Sequence, residues 1–463
     1  MKFNEYKHLD LTKIAEEILA FWKAANIFEQ SIASREGAIP FVFFEGPPSA
    51  NGVPGIHHVM ARSIKDIFCR YKTQKGFQVK RKAGWDTHGL PVELGVEKEL
   101  GITKEDIGKK ISVEDYNKAC KEAVMRYTDI WNDLTEKIGY WVDMEDPYIT
   151  YKPKYMESVW WLLKQLYNKQ LLYKGYTIQP YSPKAGTGLS SHELNQPGCY
   201  RDVSDTTVVA QFKVKALTAA ASKALGNPTE PIHILAWTTT PWTLPSNTAL
   251  AVGKEIDYVL VKTFNQYTFE PITIIIGKPL LAKQFGKKFV EGDAVALAAY
   301  TPESKTLPYQ IIGECKGADL VGTAYEQLIP WCAPAENADQ AFRVIAGDFV
   351  TTDDGTGIVH IAPTFGADDA RVAKEYGVPP MLVKDAHGNL IPLVDLQGKF
   401  ITGHNIPEAF AGKYIKNEYY DAGQAPEKSW DVSLAILLKE ENKAFKVEKY
   451  VHSYPHCWRT DKP

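Results

Sequence analysis

The segment that most narrows the possible folds is the apolar run Phe41-Val-Phe-Phe44, which leads directly into Glu45-Gly-Pro-Pro-Ser-Ala-Asn-Gly-Val-Pro-Gly55. A short continuous apolar run suits a strand buried on both faces, and the Gly/Pro-rich stretch after it cannot extend that strand. From His57 to Tyr71 apolar residues recur at helical spacing (Met60, Ile64, Ile67, Phe68, Tyr71), which predicts a helix. Strand, loop and helix in this order make a nucleotide-binding α/β unit, in which phosphates meet the unpaired amides of the helix start. The stretch KGFQVKRKAGWDTHGLPVE reads as a second strand ending in a polar turn, where doubly wound folds keep their ligands. An amphipathic packing helix is expected over Leu11–Phe28 (Ile14, Ile18, Trp22), and helical segments are expected to run on through Tyr173.

Beyond about Tyr200 the texture changes. β-Branched runs (TTVVAQFKV, PIHILAW, YVLVKTF, ITIIIG, GTGIVHIA) alternate with Gly, Pro and Asp turns, as in a mostly β domain. After Gly403 helical and polar segments are expected to return. A length of 463 residues calls for two or three cooperating cores, and 44% apolar with 24% charged residues excludes disordered and fibrous classes. Neither a membrane-spanning run nor an apolar leader at MKFNEYKHLDLTKIAEE is found, so a cytoplasmic location is expected. The six cysteines (Cys69, Cys120, Cys199, Cys315, Cys332, Cys457) form no C-x-x-C pair and read as reduced thiols. A net charge of -3 gives no global basic field, so contact with nucleic acid would need local patches; Lys72, Lys75, Lys80, Arg81 and Lys82 are candidates.

Taken together in order and spacing, FFEGPPSANGVPGIHHVMARSIKDI and KRKAGWDTHGLPVE resemble the signature region of isoleucyl-tRNA synthetases, within class I of the aminoacyl-tRNA synthetases. The wording GWDTHGLPVE separates the chain from leucyl enzymes, which resemble GWDAFGLPAE. The resemblance implies an α/β fold: residues 1–199 as an amino-terminal helix and the first half of a Rossmann-type catalytic domain with its stem. It implies 200–440 as a large, mostly β inserted editing domain, and 441–463 as a returning stem. It implies ATP with Mg2+, isoleucine, its tRNA, and mischarged valyl-tRNA as an editing substrate, in a monomer. In class I synthetases a His-x-Gly-His motif stabilises the ATP phosphates while the amino-acid carboxylate attacks the α-phosphorus. This chain has Gly55-Ile56-His57-His58 there, with the first His and the Gly exchanged. By resemblance Gly55, His57 and His58 are the ATP-binding residues, Pro47 walls the amino-acid pocket, and Asp86 meets the substrate ammonium. Taken alone, paired histidines after a Pro-Gly turn would serve equally as a polar helix start, and Asp86 as a turn cap.

Two further segments, LAWTTTPWTLPSNTALAV and TTDDGTGIVHIAPTFGADDARVAKEYG, match the editing domain of the same family. A pocket for isoleucine cannot strongly reject valine, because one methylene is worth only about 1–3 kcal/mol, a general limit for which this very pair of amino acids is the standard illustration. The resemblance assigns Asp369 to the α-ammonium of the mischarged residue and His360 to the wall near the terminal adenosine. It gives Thr238, Thr239, Thr240 and Asn247 the remaining hydrogen bonds. Alone, a threonine run before a proline is an edge-strand feature, and Asp368-Asp369 a helix start.

Some relatives bind zinc on the stem through two C-x-x-C pairs. The corresponding stretches here are Ser182-Pro-Lys-Ala185 and Cys457-Trp-Arg-Thr460, one thiol of four, so no structural zinc and no other resident metal is expected. A KMSKS-type loop and an anticodon-reading domain do not occur before Pro463, so aminoacylation is expected only in a longer protein. A sister valyl or leucyl synthetase, a free-standing tRNA deacylase and a non-catalytic tRNA-binding module are the alternatives.

Overall fold

The computed structural model describes residues 7–175 and 177–463. Of the amino-terminal stretch read above for a leader, residues 1–6 lie outside the described residues. The chain divides into two compact units, Met1–Gly175 and Tyr176–Pro463.

In the first unit the expected opening helix is two helices, Leu11–Ala24 and Ile27–Ala33. Asp10 caps the first by accepting the Lys13 amide at 3.1 Å. Asn26 ends it by adopting a left-handed backbone (φ 48°), a conformation that Asn tolerates and that no helix continues through. Periodicity alone does not register such a break. Behind these helices lies a three-stranded parallel sheet in the order Phe43–Phe44, Arg81–Trp85, Asp143–Ile149. The helix Ile56–Gln74 joins the first strand to the second, as the loop composition and helical spacing predict. Gly84 lies under Tyr148, where any Cβ would sit 2.4 Å from the ring.

The second unit is built on an eleven-stranded sheet. Six of its strands close on themselves: Ile232–Thr238, Ile358–Ile361, Ala249–Val252, Arg343–Ala346, Ala324–Tyr325 and Tyr200–Ala216, the last pairing back onto the first. Closure removes sheet edges and encloses a core that includes Val208, Phe212, Ile234, Leu250, Tyr258 and Ile358, all nearly or fully inaccessible. Each such Val, Leu, Ile or Phe contributes roughly 1.5–3 kcal/mol by leaving water.

The stretch after Gly403 is only partly helical. Trp430–Glu440 is an α-helix capped by Ser429, but Ala444–Pro455 is a strand running antiparallel to Tyr200–Ala216. Lys446, Glu448 and Lys449 hide it from a hydrophobic scan. As an edge strand it tolerates them: Lys446 and Glu448, paired at 3.1 Å, share one face with Tyr450, His452 and Tyr454, and Lys449 projects from the other.

Candidate functional site

In the first unit the strand Phe43–Phe44 hands the chain to a loop whose beginning is pinned by Glu45. This buried carboxylate pairs with Lys65 on the following helix at 2.5 Å and accepts the Tyr140 hydroxyl, while its backbone carbonyl accepts the Tyr148 hydroxyl. Next, the Pro48 carbonyl accepts the Asp86 amide at 3.0 Å, so one hydrogen bond sets the Pro47-Pro48 corner beside the polar turn that ends the second strand. That turn is fixed from below by Thr87 and Thr150, whose hydroxyls are 2.7 Å apart, leaving Asp86 itself exposed. Further along, Ala50 and Gly52 offer carbonyls to the Tyr127 amide (3.1 Å) and the Trp131 indole (2.9 Å).

The loop ends at Gly55, the N-cap of the helix Ile56–Gln74. The Gly55 amide donates to His58 Nδ1 at 2.9 Å. An amide can only donate, so the neutral ring carries its proton on Nε2. Burial, followed by the neighbouring charges of His57 and Arg62, lowers the His58 pKa, which favours that neutral form. His58 also packs edge-on against Trp131 (4.7 Å) and lies against the His57 ring (3.8 Å between centroids). The exchanged order is thus coupled: a Cβ at residue 55 would lie 2.9 Å from His57 Cε1.

The second set of candidates lies in the second unit. Thr238 ends a barrel strand, and Thr240 opens the 3-10 turn Pro241–Ser246. The Thr240 amide donates to Thr238 Oγ1 at 3.1 Å, curling the run on itself, with Thr239 and Thr240 half-buried and Thr238 buried. Thr243 donates its hydroxyl to the Thr240 carbonyl at 2.8 Å and lies 2.8 Å from His360 Nε2. Its one proton being spent, Thr243 accepts from His360, which fixes the Nε2–H tautomer; Nδ1 then faces the Asn247 amide at 3.5 Å. Asn247 is also bonded to the Ala249 carbonyl (2.8 Å) and the Tyr325 hydroxyl (2.7 Å). Burial pushes the His360 pKa down to about 4, so the imidazole is neutral near pH 7.

Asp369 sits in the first turn of the helix Ala367–Glu375, where its Oδ2 accepts the Ala362 amide at 2.8 Å, two residues beyond His360. Burial raises its pKa; the Ala362 amide opposes this and the Asp368 charge adds to it. Gly366, the N-cap, leaves room that a Cβ would take, at 2.6 Å from the carboxyl carbon. The structure therefore links His360 to the threonine run through Thr243, and Asp369 to the strand end that carries His360. A cleft of about 650 Å³ opens along Ala367, Ala370, Arg371 and Lys374, the face of this helix turned away from Asp369.

With this geometry in place, the comparisons with known proteins decide the family. The model described as tRNA synthetases class I (I, L, M and V) matches residues 17–442. The chain belongs to the class I tRNA synthetases. It is 61% identical to the isoleucine–tRNA ligase of Bacteroides fragilis and 60% identical to that of Porphyromonas gingivalis, in each case over 100% of this chain and 41% of the relative. The isoleucine–tRNA ligase of Clostridium tetani is 45% identical over 98% of this chain and 38% of its own length. The chain spans about 41% of the length of the first two curated relatives.

Other features of this class I synthetase chain follow the sequence reading only in part. Arg81, a candidate for tRNA contact, is a core residue: it is 2% exposed and donates to Thr73 Oγ1 at 2.8 Å, so it is not available to a surface partner. Lys82 is paired with Asp146 at 2.5 Å, and Lys72 lies over the rings of Phe41 and Phe77. The two stem stretches do converge. Burial pushes the Cys457 thiol up, but polar groups of Thr460, Ser182 and the Arg459 amide outweigh it, and the net shift is downward. Sequence reasoning missed Glu45, Thr243 and Tyr325. Thr243 stands three residues after Thr240 in TTTPWT, a spacing suited to a hydroxyl-to-carbonyl bond. Tyr325 has no local signal, because only barrel closure brings it to Asn247.

Proposed function

We propose that this chain is the amino-terminal part of an isoleucine–tRNA ligase in which the first unit activates isoleucine with ATP and the second hydrolyses mischarged valyl-tRNA. The observation that carries the reading is identity of 60–61% to isoleucine–tRNA ligases along the whole chain. In the first unit the Ile56 and His57 amides at the start of Ile56–Gln74 and the Nε2–H of His58 make a donor set suited to phosphate oxygens, at the far end of the loop that begins with the Pro47 corner proposed, with Asp86, for the amino acid. Mg2+ is proposed to arrive with the nucleotide, where it neutralises phosphate charge.

For the second unit, the half-buried Asp369 carboxylate is proposed to hold the α-ammonium of the mischarged residue. Thr239 and Thr240 are proposed to orient the attacking water or the ester. Asn247 and His360 have their polar atoms engaged by the protein, so their proposed part is to shape a neutral wall that excludes the larger side chain. The transfer of isoleucine to its tRNA belongs to the full-length protein.

Two assays test this. In full-length protein, amino-acid-dependent pyrophosphate exchange should respond to isoleucine far more than to valine or leucine; a dominant valine or leucine signal would move the assignment to a sister synthetase. The 463-residue chain by itself should release valine from valyl-charged isoleucine tRNA faster than isoleucine from the correctly charged form, and equal rates would remove the editing role.

A further inference from the structure

The hydrolytic candidates stand on two short turns, and both are tied to a single tryptophan. The Trp242 backbone amide, in the 3-10 turn Pro241–Ser246, donates to Asp431 Oδ1 at 2.8 Å. Its indole packs edge-on against Phe365 at 4.9 Å. Phe365 belongs to the turn that closes on the Ala362 carbonyl (2.9 Å), between His360 and Asp369. A carboxylate on the helix Trp430–Glu440, some 190 residues from the threonine run in sequence, thus holds the turn that presents Thr240 and Thr243, and through the indole it braces the turn that presents Asp369.

Asp431 is only 4% exposed. It belongs to a buried polar group with no part in the reading above. Asp205, whose charge acts on it, is paired with Lys416 at 2.7 Å and with His452 at 3.1 Å. Lys416 in turn lies over the Tyr454 ring at 4.5 Å, and Lys449 faces the carboxylate from the neighbouring strand. A buried carboxylate is costly unless it does something that an apolar side chain could not. Here it accepts an amide at the open end of a 3-10 turn, where the first amides have no partner within the turn.

We propose that Asp431 is a positioning residue for hydrolysis, setting the Thr240–Thr243 turn, and with it the His360 tautomer, through the Trp242 amide. The proposal rests on the editing role given to this unit. Burial pushes the Asp431 carboxyl up to about 7, with Asp205 adding to the shift and Lys416, the Trp242 amide and Lys449 opposing it. The acceptor is therefore charged, and strongest, above neutral pH and loses its charge below it.

The experiment compares wild type, Asp431→Asn and Asp431→Leu in deacylation of valyl-tRNA across pH 6 to 8.5, with thermal midpoints and the ring 15N shifts of His360. Asn keeps an acceptor of the same shape without the charge; Leu removes it. Loss of a hydrogen bond to a charged group predicts a roughly ten- to hundredfold fall in kcat for Leu with little change in KM. Asn should stay close to wild type at pH 6.5, fall behind it at pH 8.5, and lack the break near neutral pH. Unchanged kcat in folded Leu protein, or the same pH break in Asn as in wild type, would overturn the proposal. If Leu does not fold, the Asn pH profile decides. If wild type itself hydrolyses nothing, the editing role fails separately, and the His360 shifts still report on the turn: they should move in Leu and hold in Asn, and no movement in a folded Leu variant would refute the positioning role.

Discussion

The two candidate sites handle water in opposite ways. At the first, His57 is exposed, His58 is half-buried, and the helix they open keeps Ile56, Met60, Ile64 and Ile67 more than half accessible. At the second, His360 and Asn247 lie inside a closed ring of strands with every ring nitrogen and amide group engaged. One presents donors that a charged ligand can reach; the other presents a preformed wall. The difference suits their proposed substrates. Phosphate oxygens bring charge strong enough to organise flexible donors, whereas telling valine from isoleucine depends on a cavity that cannot relax by even one methylene.

The most severe way to break this contrast is to remove the one charge proposed to act inside the second site. Asp369→Ala should leave the fold intact and lower hydrolysis of valyl-tRNA by about 30-fold to several-thousandfold, because a buried ammonium left without its partner costs roughly 2–5 kcal/mol. Single-turnover deacylation measures it. Unaltered hydrolysis would mean that the ammonium is held elsewhere.

A smaller effect sharpens the contrast through pH. A histidine on the open surface would cost the fold nothing on acidification, but His360 is held neutral with a pKa of about 4 against its usual 6.5. The unfolded chain then takes up a proton at higher pH than the folded one, so stability rises with pH between 4 and 6.5. Acidification from pH 7 to 4 should remove roughly 3 kcal/mol from the second unit on this account alone. His360→Gln should lack that component of the slope, read by amide exchange in Ile358–Ile361 under increasing denaturant at each pH. Parallel slopes in both proteins would show that the imidazole is not the buried neutral group described.

These two tests also mark what could be read without coordinates. The strand, Gly/Pro loop and helix from Phe41 onward were legible in order because each element is encoded by neighbours in sequence, but the strand is only Phe43–Phe44 and the expected burial on both faces fails, since Val42 and Phe44 are exposed. So was the β character of the second unit, since β-branched runs announce strands wherever they end up. The break at Asn26 was not legible, because a single residue in a left-handed conformation leaves the apolar period on either side intact. The strand Ala444–Pro455 escaped because its charges sit on an edge. In the site, the family resemblance named His360 and Asp369, but the bonds that orient them come from Thr243, Tyr325 and Ala362, partners supplied by turn geometry and barrel closure. Arg81 was misplaced for a related reason: a basic cluster in sequence alternates in and out of a sheet once it becomes a strand.

The smallest expected effect probes the exposed site, where the exchanged Gly55 and His57 give a way to ask how much its geometry is preset. A methyl group at residue 55 would meet the His57 ring at 2.9 Å, closer than carbon atoms approach, so Gly55→Ala must turn that ring out of its place beside His58. Rotating one aromatic side chain off its preferred rotamer costs about 0.5–1.5 kcal/mol, which predicts a several-fold rise in KM for ATP in pyrophosphate exchange by full-length protein. The double exchange, Gly55→His with His57→Gly, removes the obstructing ring as it adds the new one. It should therefore leave adenylate formation near its original rate while changing the affinity for inhibitors that mimic the adenylate, since the imidazole then approaches the nucleotide from residue 55. An unchanged inhibitor constant in the double exchange would show that neither ring position reaches the ligand and that His58, held by the Gly55 amide, makes the contact alone.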